Sequence, residues 1–508
     1  MNLVTHLANR AKEHPQRPAL IDAKQSISYQ DLYAHVCGAS TQLQGDGLKP
    51  NDTLLILQSV SIDLYVTLLG AFHAGLTVMF IDPSAGNKML SNSLKLHQPN
   101  ALIGSSKAHL LRLTIPAIRK IPRHYHSSGW VPFSKKWQPK KSTDVEPIET
   151  TSDSPALITF TSGSTGMPKA ACRTHGFLLA QHEALADSLH YCEGEVDLVT
   201  LPIFALANLA SGLTSVIADT DLRFPTKAKS TSILQQCTQH HITRCAASPA
   251  FFTRLHRDQK MPSFQSIYTG GAPVFPNLID EIHAAHPEMN IVTVYGSTEA
   301  EPIAHISWSD VDDIDHQMMS EGKGLLVGKA VDATELRIIT DQSGQAIPPI
   351  THQELHSLHE GKIGEIIVTG EHVLNGYLHG KGDEENKINV DGKVWHRTGD
   401  AGWMDQDGRV WLMGRASAKI QLNEKSLYPF GVECAAMSHP EVERCALIFF
   451  ENQVTLFVEG PDNKRLRTQL LEKLKELSVE SIRFTPLIPV DKRHNAKIDY
   501  SELQKLVE

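Results

Sequence analysis

Two kinds of apolar pattern alternate along much of the chain. In one, apolar residues recur every three or four positions, as on one face of a helix; in the other, a short run is apolar throughout, as in a buried strand. The pattern predicts helices at 31–43, 62–75 and 175–189, and strands at 52–58, 76–82, 157–160, 197–202 and 291–296. Strands that alternate with helices indicate an α/β fold with layered, mostly parallel sheets.

The pattern changes in the last third of the chain. It predicts short strands at 362–370, 393–400 and 408–414, then strands at 445–450 and 453–460 and helices at 431–439, 465–477 and 499–508. A chain of 508 residues is too long for a single core. We therefore expect a large α/β domain at 1–413 and a small α+β domain at 414–508.

Two apolar stretches bear on whether the chain enters a membrane. Residues 1–15 predict an amphipathic helix and lack the unbroken apolar core of a signal peptide. Residues 63–82 contain two glycines and a histidine between Asp63 and Asp82, which favours a buried helix leading into a buried strand over a membrane span. Residues 116–155 are rich in Pro, Lys and Ser and are predicted to form an exposed connection. We expect a soluble, cytoplasmic protein.

Composition excludes several classes of function. The 48 Lys+Arg against 57 Asp+Glu give a net charge of −9, which argues against a nucleic-acid partner. Seven cysteines without a C-x-x-C pair argue against a disulfide framework or a zinc site and favour a reducing compartment. The histidines of 123–126 and 352–360 lack zinc-like spacing. Asp312, Asp313 and Asp315 are predicted to form a solvated acidic loop.

The stretch FTSGSTGMPKA at 160–170 is the first candidate for chemistry. A predicted strand leads into it, its glycines permit tight turns that aim several N–H groups at one anion, and its hydroxyls add donors. Lys169 supplies a mobile positive charge. A phosphate loop is favoured over the alternative of a Ser/Gly-rich surface turn. The spacing differs from that of a Walker loop, so a P-loop ATPase is disfavoured.

Further motifs follow in order: TGGAP at 269–273, YGSTEAE at 295–301, HRTGD at 396–400, GR at 414–415 and KRHNAKID at 492–499. Together with the first loop they resemble the signature motifs of the adenylate-forming, AMP-binding superfamily of acyl-CoA synthetases, peptide-synthetase adenylation domains and luciferases. The resemblance spans nearly the whole chain. It implies ATP-dependent activation of a carboxylic acid, such as a fatty or hydroxy-fatty acid, to an acyl-AMP with release of pyrophosphate, and it implies that the small domain is mobile.

The resemblance also assigns the nucleotide contacts. The phosphate-side residues are Thr161, Ser162, Gly163, Ser164, Thr165, Gly166 and Lys169, and the adenine-side residues are Gly270, Gly271, Ala272, Tyr295 and Gly296. Tyr295 would stack on adenine, Asp400 would accept both ribose hydroxyls and Arg415 would add a second ribose contact. Taken singly, these three residues could instead be a core aromatic, a turn aspartate and a surface arginine.

The reaction itself requires positive charge, because a carboxylate must approach a phosphate. At about 4 Å two unit charges repel by roughly 4 kcal/mol at an effective dielectric of 20. The resemblance implies that Glu299 binds Mg²⁺, that Thr298 contacts the phosphates and that Lys497 bridges the carboxylate and the α-phosphate. The alternatives are a surface glutamate and a basic surface loop around Lys497.

Departures from the family pattern concern the second step. Ser417 replaces the usual hinge Asp or Lys, and Glu424 occupies the position of a glycine that lets the thiol arm pass in acyl-CoA synthetases. Both departures weaken the case for thioester formation with CoA. The stretches 394–400 and 493–498 resemble the β-lactone synthetases of bacterial olefin biosynthesis, as does 201–212, where Phe204 and Asn208 are candidate substrate contacts.

Three outcomes stay open for the activated acid. A β-lactone synthetase would let a β-hydroxyl attack without CoA; a thioester ligase would use CoA or a carrier protein; a non-catalytic relative would bind ATP without turnover. The expected partners are a small carboxylic acid and possibly CoA or a carrier protein, with no nucleic acid and no membrane span.

Overall fold

The protein was analysed as a computed structural model that describes residues 2–82, 86–143, 145–162, 168–358, 363–423, 425–491 and 497–507. The chain forms two compact units. The first comprises residues 1–218 and 371–384, and the second comprises residues 219–370 and 385–508. The predicted domain boundary at 413 lies inside the second unit and stays a prediction.

The first unit has the alternating pattern expected from the sequence. Its helices are α1 (Val4–Glu13), α2 (Tyr29–Gly45), α3 (Ile62–His73), α4 (Asn87–Leu96), α5 (Ser106–His109), α6 (Leu111–Thr114), α7 (Pro116–Arg119), α8 (His175–Ser188) and α9 (Phe204–Ser211). Its strands are β1 (Pro18–Ile21), β2 (Ser26–Ser28), β3 (Thr53–Leu57), β4 (Thr77–Met79), β5 (Ala101–Gly104), β6 (Arg123–His126), β7 (Lys135–Lys136), β8 (Pro155–Ser162), β9 (Pro168–Thr174), β10 (Val196–Val199) and β11 (Thr214–Ile217).

Parallel pairing dominates this unit. One sheet has the order β7-β6-β5-β3-β4-β8-β9, and in it only the β8–β9 hairpin is antiparallel among the described strands. A second group has the order β10-β11-β1-β2, with β1–β2 antiparallel. The stretch 63–82 forms the buried helix α3 followed by the buried strand β4, as predicted. In the described part of the chain no helix is both long enough and apolar enough to cross a membrane.

The second unit contains the remaining elements. Its helices are α10 (Ser230–His240), α11 (Pro249–Arg257), α12 (Pro276–Ala285), α13 (Asp313–Ser320), α14 (His352–Ser357), α15 (Asp383–Asn386, which begins in the first unit), α16 (Pro429–Met437), α17 (Lys464–Lys473) and α18 (Tyr500–Val507). Its strands are β12 (Arg244–Ala247), β13 (Ser266–Gly270), β14 (Asn290–Ser297), β15 (Ala300–Ser307), β16 (Leu325–Ala330), β17 (Glu335–Ile339), β18 (Gly364–Thr369), β19 (Lys387–Val390), β20 (Lys393–Met404), β21 (Arg409–Arg415), β22 (Ile420–Leu422), β23 (Lys425–Leu427), β24 (Cys445–Phe450), β25 (Gln453–Glu459) and β26 (Ser481–Thr485).

Pairing in the second unit is mixed. Strands β12, β13 and β14 are parallel, whereas β14, β15, β16, β21, β20, β18 and β17 follow one another in antiparallel pairs. Tight turns such as the one between β14 and β15 replace the helical crossovers that parallel strands need. The α/β fold with a small C-terminal α+β part is confirmed, but its larger part is less uniformly parallel than the apolar runs indicated.

Two local predictions were wrong. The stretch 116–155 is not simply an exposed connection, because β6 pairs in parallel with β5 and buries Tyr125 and His126. The acidic stretch at 312–315 is not a solvated loop. Asp312 caps α13 in a capping box, and the buried Asp315 accepts two hydrogen bonds from Arg409, at 2.8 and 2.9 Å.

Candidate active site

The ends of two neighbouring parallel strands, β13 and β14, carry the predicted adenine-side residues. Gly270 pairs with Val294, and a Cβ on Gly270 would lie 2.4 Å from the Val294 carbonyl oxygen. Only glycine therefore fits there, and Gly271 follows with φ of +77°. Ala272 comes next, and at the end of β14 Tyr295 is buried, with Gly296 after it.

The adjacent antiparallel strands β20 and β21 carry the predicted ribose contacts. Their register places Asp400 opposite Arg415. Asp400 Oδ1 accepts a hydrogen bond from Arg415 Nη1 at 2.8 Å, and Oδ2 accepts one from the Tyr295 hydroxyl at 2.9 Å. Thr398, which the sequence argument did not select although it lies in the HRTGD motif, accepts from the Asp400 N–H and through its carbonyl from Arg415. The structure thus brings Tyr295, Asp400 and Arg415 into one hydrogen-bonded cluster.

The charges of this cluster are mutually stabilising. The Asp400 carboxylate is the main cause that raises the pKa of the Arg415 guanidinium, and Tyr295 and Glu299 act in the same direction. Burial, followed by the negative charge of Asp400, raises the pKa of the Tyr295 hydroxyl, which therefore stays a neutral donor.

Glu299 and Thr298 form the turn between β14 and β15. Ser297 pairs with Ala300 across this turn, which leaves Thr298 exposed and Glu299 half-buried at the carboxyl end of β14. A Cβ on Gly296 would approach the Ala300 carbonyl oxygen to 3.1 Å, so the turn is closely packed. Within the described residues no group of three or more His, Cys, Asp or Glu side chains could hold a metal on its own.

The predicted phosphate loop belongs to the first unit and lies in the chain between β8 and β9. The hairpin pairs Thr161 with Lys169 and Ser162 with Pro168. Residues 163–167, which include Gly163, Ser164, Thr165 and Gly166, lie outside the described residues, as do the side chains of Thr161 and Ser162.

Lys169 is covered by a segment that the sequence argument did not select. Its Nζ lies 5.7 Å from the ring centroid of Tyr377, and a Cβ on Gly382 would lie 3.0 Å from its Cδ. Tyr377 also bridges Ala171 of β9, and its N–H donates to Asp383 Oδ1 at 2.8 Å. The sequence signal in this segment was the closely spaced pair Gly380 and Gly382, and the structure gives both a positive φ.

The predicted acyl contacts lie on α9 of the first unit. Phe204 is buried at 6% exposure, and Asn208 is fully buried. The Asn208 amide donates to Asp197 Oδ2 at 2.7 Å and to Ser215 Oγ at 3.1 Å. Asn208 therefore ties α9 to β10 and β11, and its role toward a substrate stays a prediction.

Lys497 follows residues 492–496, which lie outside the described residues. Its backbone pairs with Asp491: the Lys497 carbonyl accepts from the Asp491 N–H at 2.8 Å, and the Lys497 N–H donates to Asp491 Oδ1 at 3.2 Å. Lys497 is exposed, and no hydrogen bond or ion pair joins its side chain to another described residue.

A polar contact crosses the predicted domain boundary within the second unit. Asp341 Oδ2 accepts from Lys419 Nζ and from the Tyr428 hydroxyl, each at 2.8 Å. Burial by itself would raise the pKa of Asp341, but Lys419, the Ser343 N–H and Tyr428 together hold it below its usual value. This contact leaves no signal in the sequence, because its partners are far apart in the chain.

Comparison with known proteins adds a family and several relatives. Residues 7–378 match the AMP-binding enzyme family. An olefin β-lactone synthetase of Xanthomonas campestris pv. campestris is 31% identical over 83% of this chain and 78% of its own length. One of Stenotrophomonas maltophilia is 28% identical over 94% of this chain and 90% of its own length. The structure of ATP-bound MatB from Rhodopseudomonas palustris matches with a TM-score of 0.79 at 20% identity, over 100% of this chain and 99% of that one, a likeness of fold.

Proposed function

Because this chain belongs to the AMP-binding enzyme family and activates a carboxylic acid as an acyl adenylate, we propose that its acid is a β-hydroxy fatty acid, which it closes to a β-lactone. The observation that carries the proposal is the similarity to two olefin β-lactone synthetases over most of the chain. Glu424 stands where acyl-CoA synthetases have glycine. This difference supports the same conclusion, because it disfavours a thiol as the second substrate.

The nucleotide half of the site is assigned to the hydrogen-bonded cluster on β14, β20 and β21. Tyr295 would stack on adenine against the bare backbone of Gly270 and Gly271. Asp400 would accept the ribose hydroxyls, since each carboxylate oxygen has a second lone pair besides the one used by Tyr295 or Arg415. The loop of residues 161–166 and Lys169 would bind the phosphates.

Mg²⁺ fits the donors at the β14–β15 turn. Glu299 offers carboxylate oxygens and Thr298 a hydroxyl, and Mg²⁺ in nucleotide sites commonly takes one or two carboxylates and completes its shell with phosphate oxygens and water. Glu299 would hold the ion, which would neutralise phosphate charge. Thr298 would contact the phosphates directly.

Lys497 supplies the charge for the first step. Its exposed ammonium would lie between the incoming carboxylate and the α-phosphate and reduce their repulsion. Delivery requires residues 414–508 to act as a mobile domain relative to residues 1–413. We propose that residues 414–508 rotate for this delivery.

The second step needs no further substrate. The β-hydroxyl oxygen of the acyl adenylate attacks its own carbonyl carbon, a new C–O bond closes a four-membered ring, and the bond to AMP breaks. AMP leaves with the electron pair, and the hydroxyl proton passes to solvent. Phe204 and Asn208 would contact the acyl group. A thioester ligase that uses CoA or a carrier protein is the second candidate.

The location proposed for this reaction is the cytoplasm. All seven cysteines are free thiols, and five of them are buried. Such thiols persist in a reducing compartment.

The test measures AMP release from ATP with plain and β-hydroxy acids of equal chain length, each with and without CoA. We expect release with the hydroxy acid alone and a product lighter than that acid by one water. Release that requires CoA would contradict β-lactone formation and favour the thioester ligase.

Lys497→Ala tests the first step separately. We expect acid-dependent ATP–pyrophosphate exchange to fall by about 10²–10³ while ATP binding persists. Lys473→Ala, at an exposed position of α17, is the matched control and should keep the native rate. Native exchange in Lys497→Ala would contradict the assigned role.

A further inference from the structure

One stretch of this acidic chain carries only positive charge. Residues 101–143 contain nine Lys and Arg and no Asp or Glu, although the whole chain has a net charge of −9. Lys107, Lys120 and Lys136 are exposed and form no ion pair with another described residue. Lys135 and Lys141 pair with Asp46 and Asp31 from outside the stretch, so its local positive potential comes from the other lysines.

The same stretch exposes large apolar side chains. Trp130 is 80% exposed, Phe133 92%, Leu113 80% and Leu110 61%. Most soluble surfaces scatter such residues singly, whereas a concentration of them marks an interaction site. Phe133 has φ of +56°, a conformation unfavourable for a bulky residue, so the backbone holds this ring outward at an energetic cost.

Two contacts join the parts of this surface. Arg112 Nη1 of α6 donates to the Pro132 carbonyl oxygen at 3.0 Å. A Cβ on Gly129 would lie 3.3 Å from the Ser106 Cβ at the start of α5. The loop with Trp130 and Phe133 thus lies beside the short helices with Leu110 and Leu113. We call this surface the aromatic-basic face; it comprises these four residues together with Lys107, Lys120 and Lys136.

We propose that the aromatic-basic face docks the protein on an anionic lipid bilayer. Trp and Phe partition into the boundary between headgroups and acyl chains, and lysines add attraction to anionic headgroups. Charge complementarity selects the occupant, since the exposed lysines meet anionic headgroups. The side chains of Trp130 and Phe133 are almost fully exposed, so both rings are free to insert into a fluid surface.

The test is co-sedimentation of the whole protein with vesicles of phosphatidylcholine, alone or mixed with phosphatidylglycerol. We expect binding to the anionic vesicles at low salt, loss of binding at high salt, and little binding to phosphatidylcholine alone. Trp130→Ser combined with Phe133→Ser should weaken binding by roughly tenfold or more, and so should Lys107→Glu combined with Lys136→Glu.

Matched variants control for general changes of surface. Leu487→Ser removes a side chain that is 59% exposed in the second unit, and Lys473→Glu with Lys475→Glu reverses two exposed charges there; both should bind vesicles like the wild type. All variants should keep native AMP release with a short, water-soluble acid, which confirms folding. The proposal is overturned if binding survives both double substitutions, or if the wild type stays in the supernatant with anionic vesicles, as it would if the face bound only an acidic protein.

Discussion

Each carboxylate oxygen of Asp400 accepts a hydrogen bond from a different side chain, one from Tyr295 and the other from Arg415. A ribose hydroxyl would join an oxygen that already accepts a bond. Asp400 should therefore contribute to selectivity as well as to affinity, because the cluster fixes where the free lone pairs point.

The variant Asp400→Asn tests this contribution of Asp400 to nucleotide binding. We expect the KM for ATP to rise by about 10- to 100-fold, since hydrogen bonds to a charged group contribute about 1.5–3 kcal/mol. The preference for ATP over 2′-deoxy-ATP should shrink in the same variant. Steady-state kinetics with both nucleotides measure this, and Asp407→Asn at an exposed turn is the control. An equal loss with both nucleotides would assign Asp400 a purely structural role.

At the scale of elements, a buried carboxyl links α16 to α18. Glu433 is fully buried, and its Oε1 accepts from the Leu447 N–H at 3.0 Å and from the Tyr500 hydroxyl at 2.9 Å. Tyr500 follows Lys497 by three residues, so this contact anchors the segment that carries Lys497. Burial raises the pKa of Glu433 to about 7, although both donors favour the charged form.

This pKa predicts how stability depends on pH. Between the ordinary Glu pKa of 4.5 and about 7, the folded protein holds a proton that the unfolded chain has lost. The stabilisation is present below pH 4.5 and is lost as pH rises to about 7. In Glu433→Gln the urea midpoint should therefore fall less than in the wild type between pH 5 and pH 8.

Glu472→Gln, at an exposed position of α17, should show the wild-type pH dependence. Parallel pH profiles for wild type and Glu433→Gln would mean that Glu433 titrates near its ordinary pKa.

Sequence patterns predicted elements better than the contacts between them. The apolar runs gave strands such as 53–57 and 290–297 and the helix 62–73 within a few residues, because periodicity is a local property. The motif resemblance selected Tyr295, Asp400 and Arg415, which the fold brings together. It could not reveal that Arg409 would bury Asp315, or that Tyr377 would cover Lys169, since these partners are distant in the chain and carry no local pattern.

At the scale of the whole molecule, the contact of Asp341 with Lys419 and Tyr428 bears on domain rotation. Asp341 precedes the predicted boundary at 413, and its partners follow it. If residues 414–508 rotate, these bonds exist in one arrangement only, so they stabilise that arrangement over the other.

Asp341→Asn should therefore loosen this arrangement. Loss of the ion pair frees Lys419, and we expect trypsin to cleave after Lys419 several-fold faster in the native protein. Limited proteolysis followed by mass spectrometry measures this. Asp332→Asn, at an exposed position, should be cleaved at the wild-type rate. Unchanged cleavage in Asp341→Asn would mean that the contact does not restrain the segment around Lys419.

The cover over Lys169 has a consequence for biogenesis. The first unit is completed only by residues 371–384, which bring Tyr377 and Gly382 to a lysine made two hundred residues earlier. At about 5–20 residues per second, a ribosome needs about 8–30 s to pass from residue 218 to residue 371. During that time the nascent first unit lacks its last segment, and a truncated protein that ends near 218 would never acquire it.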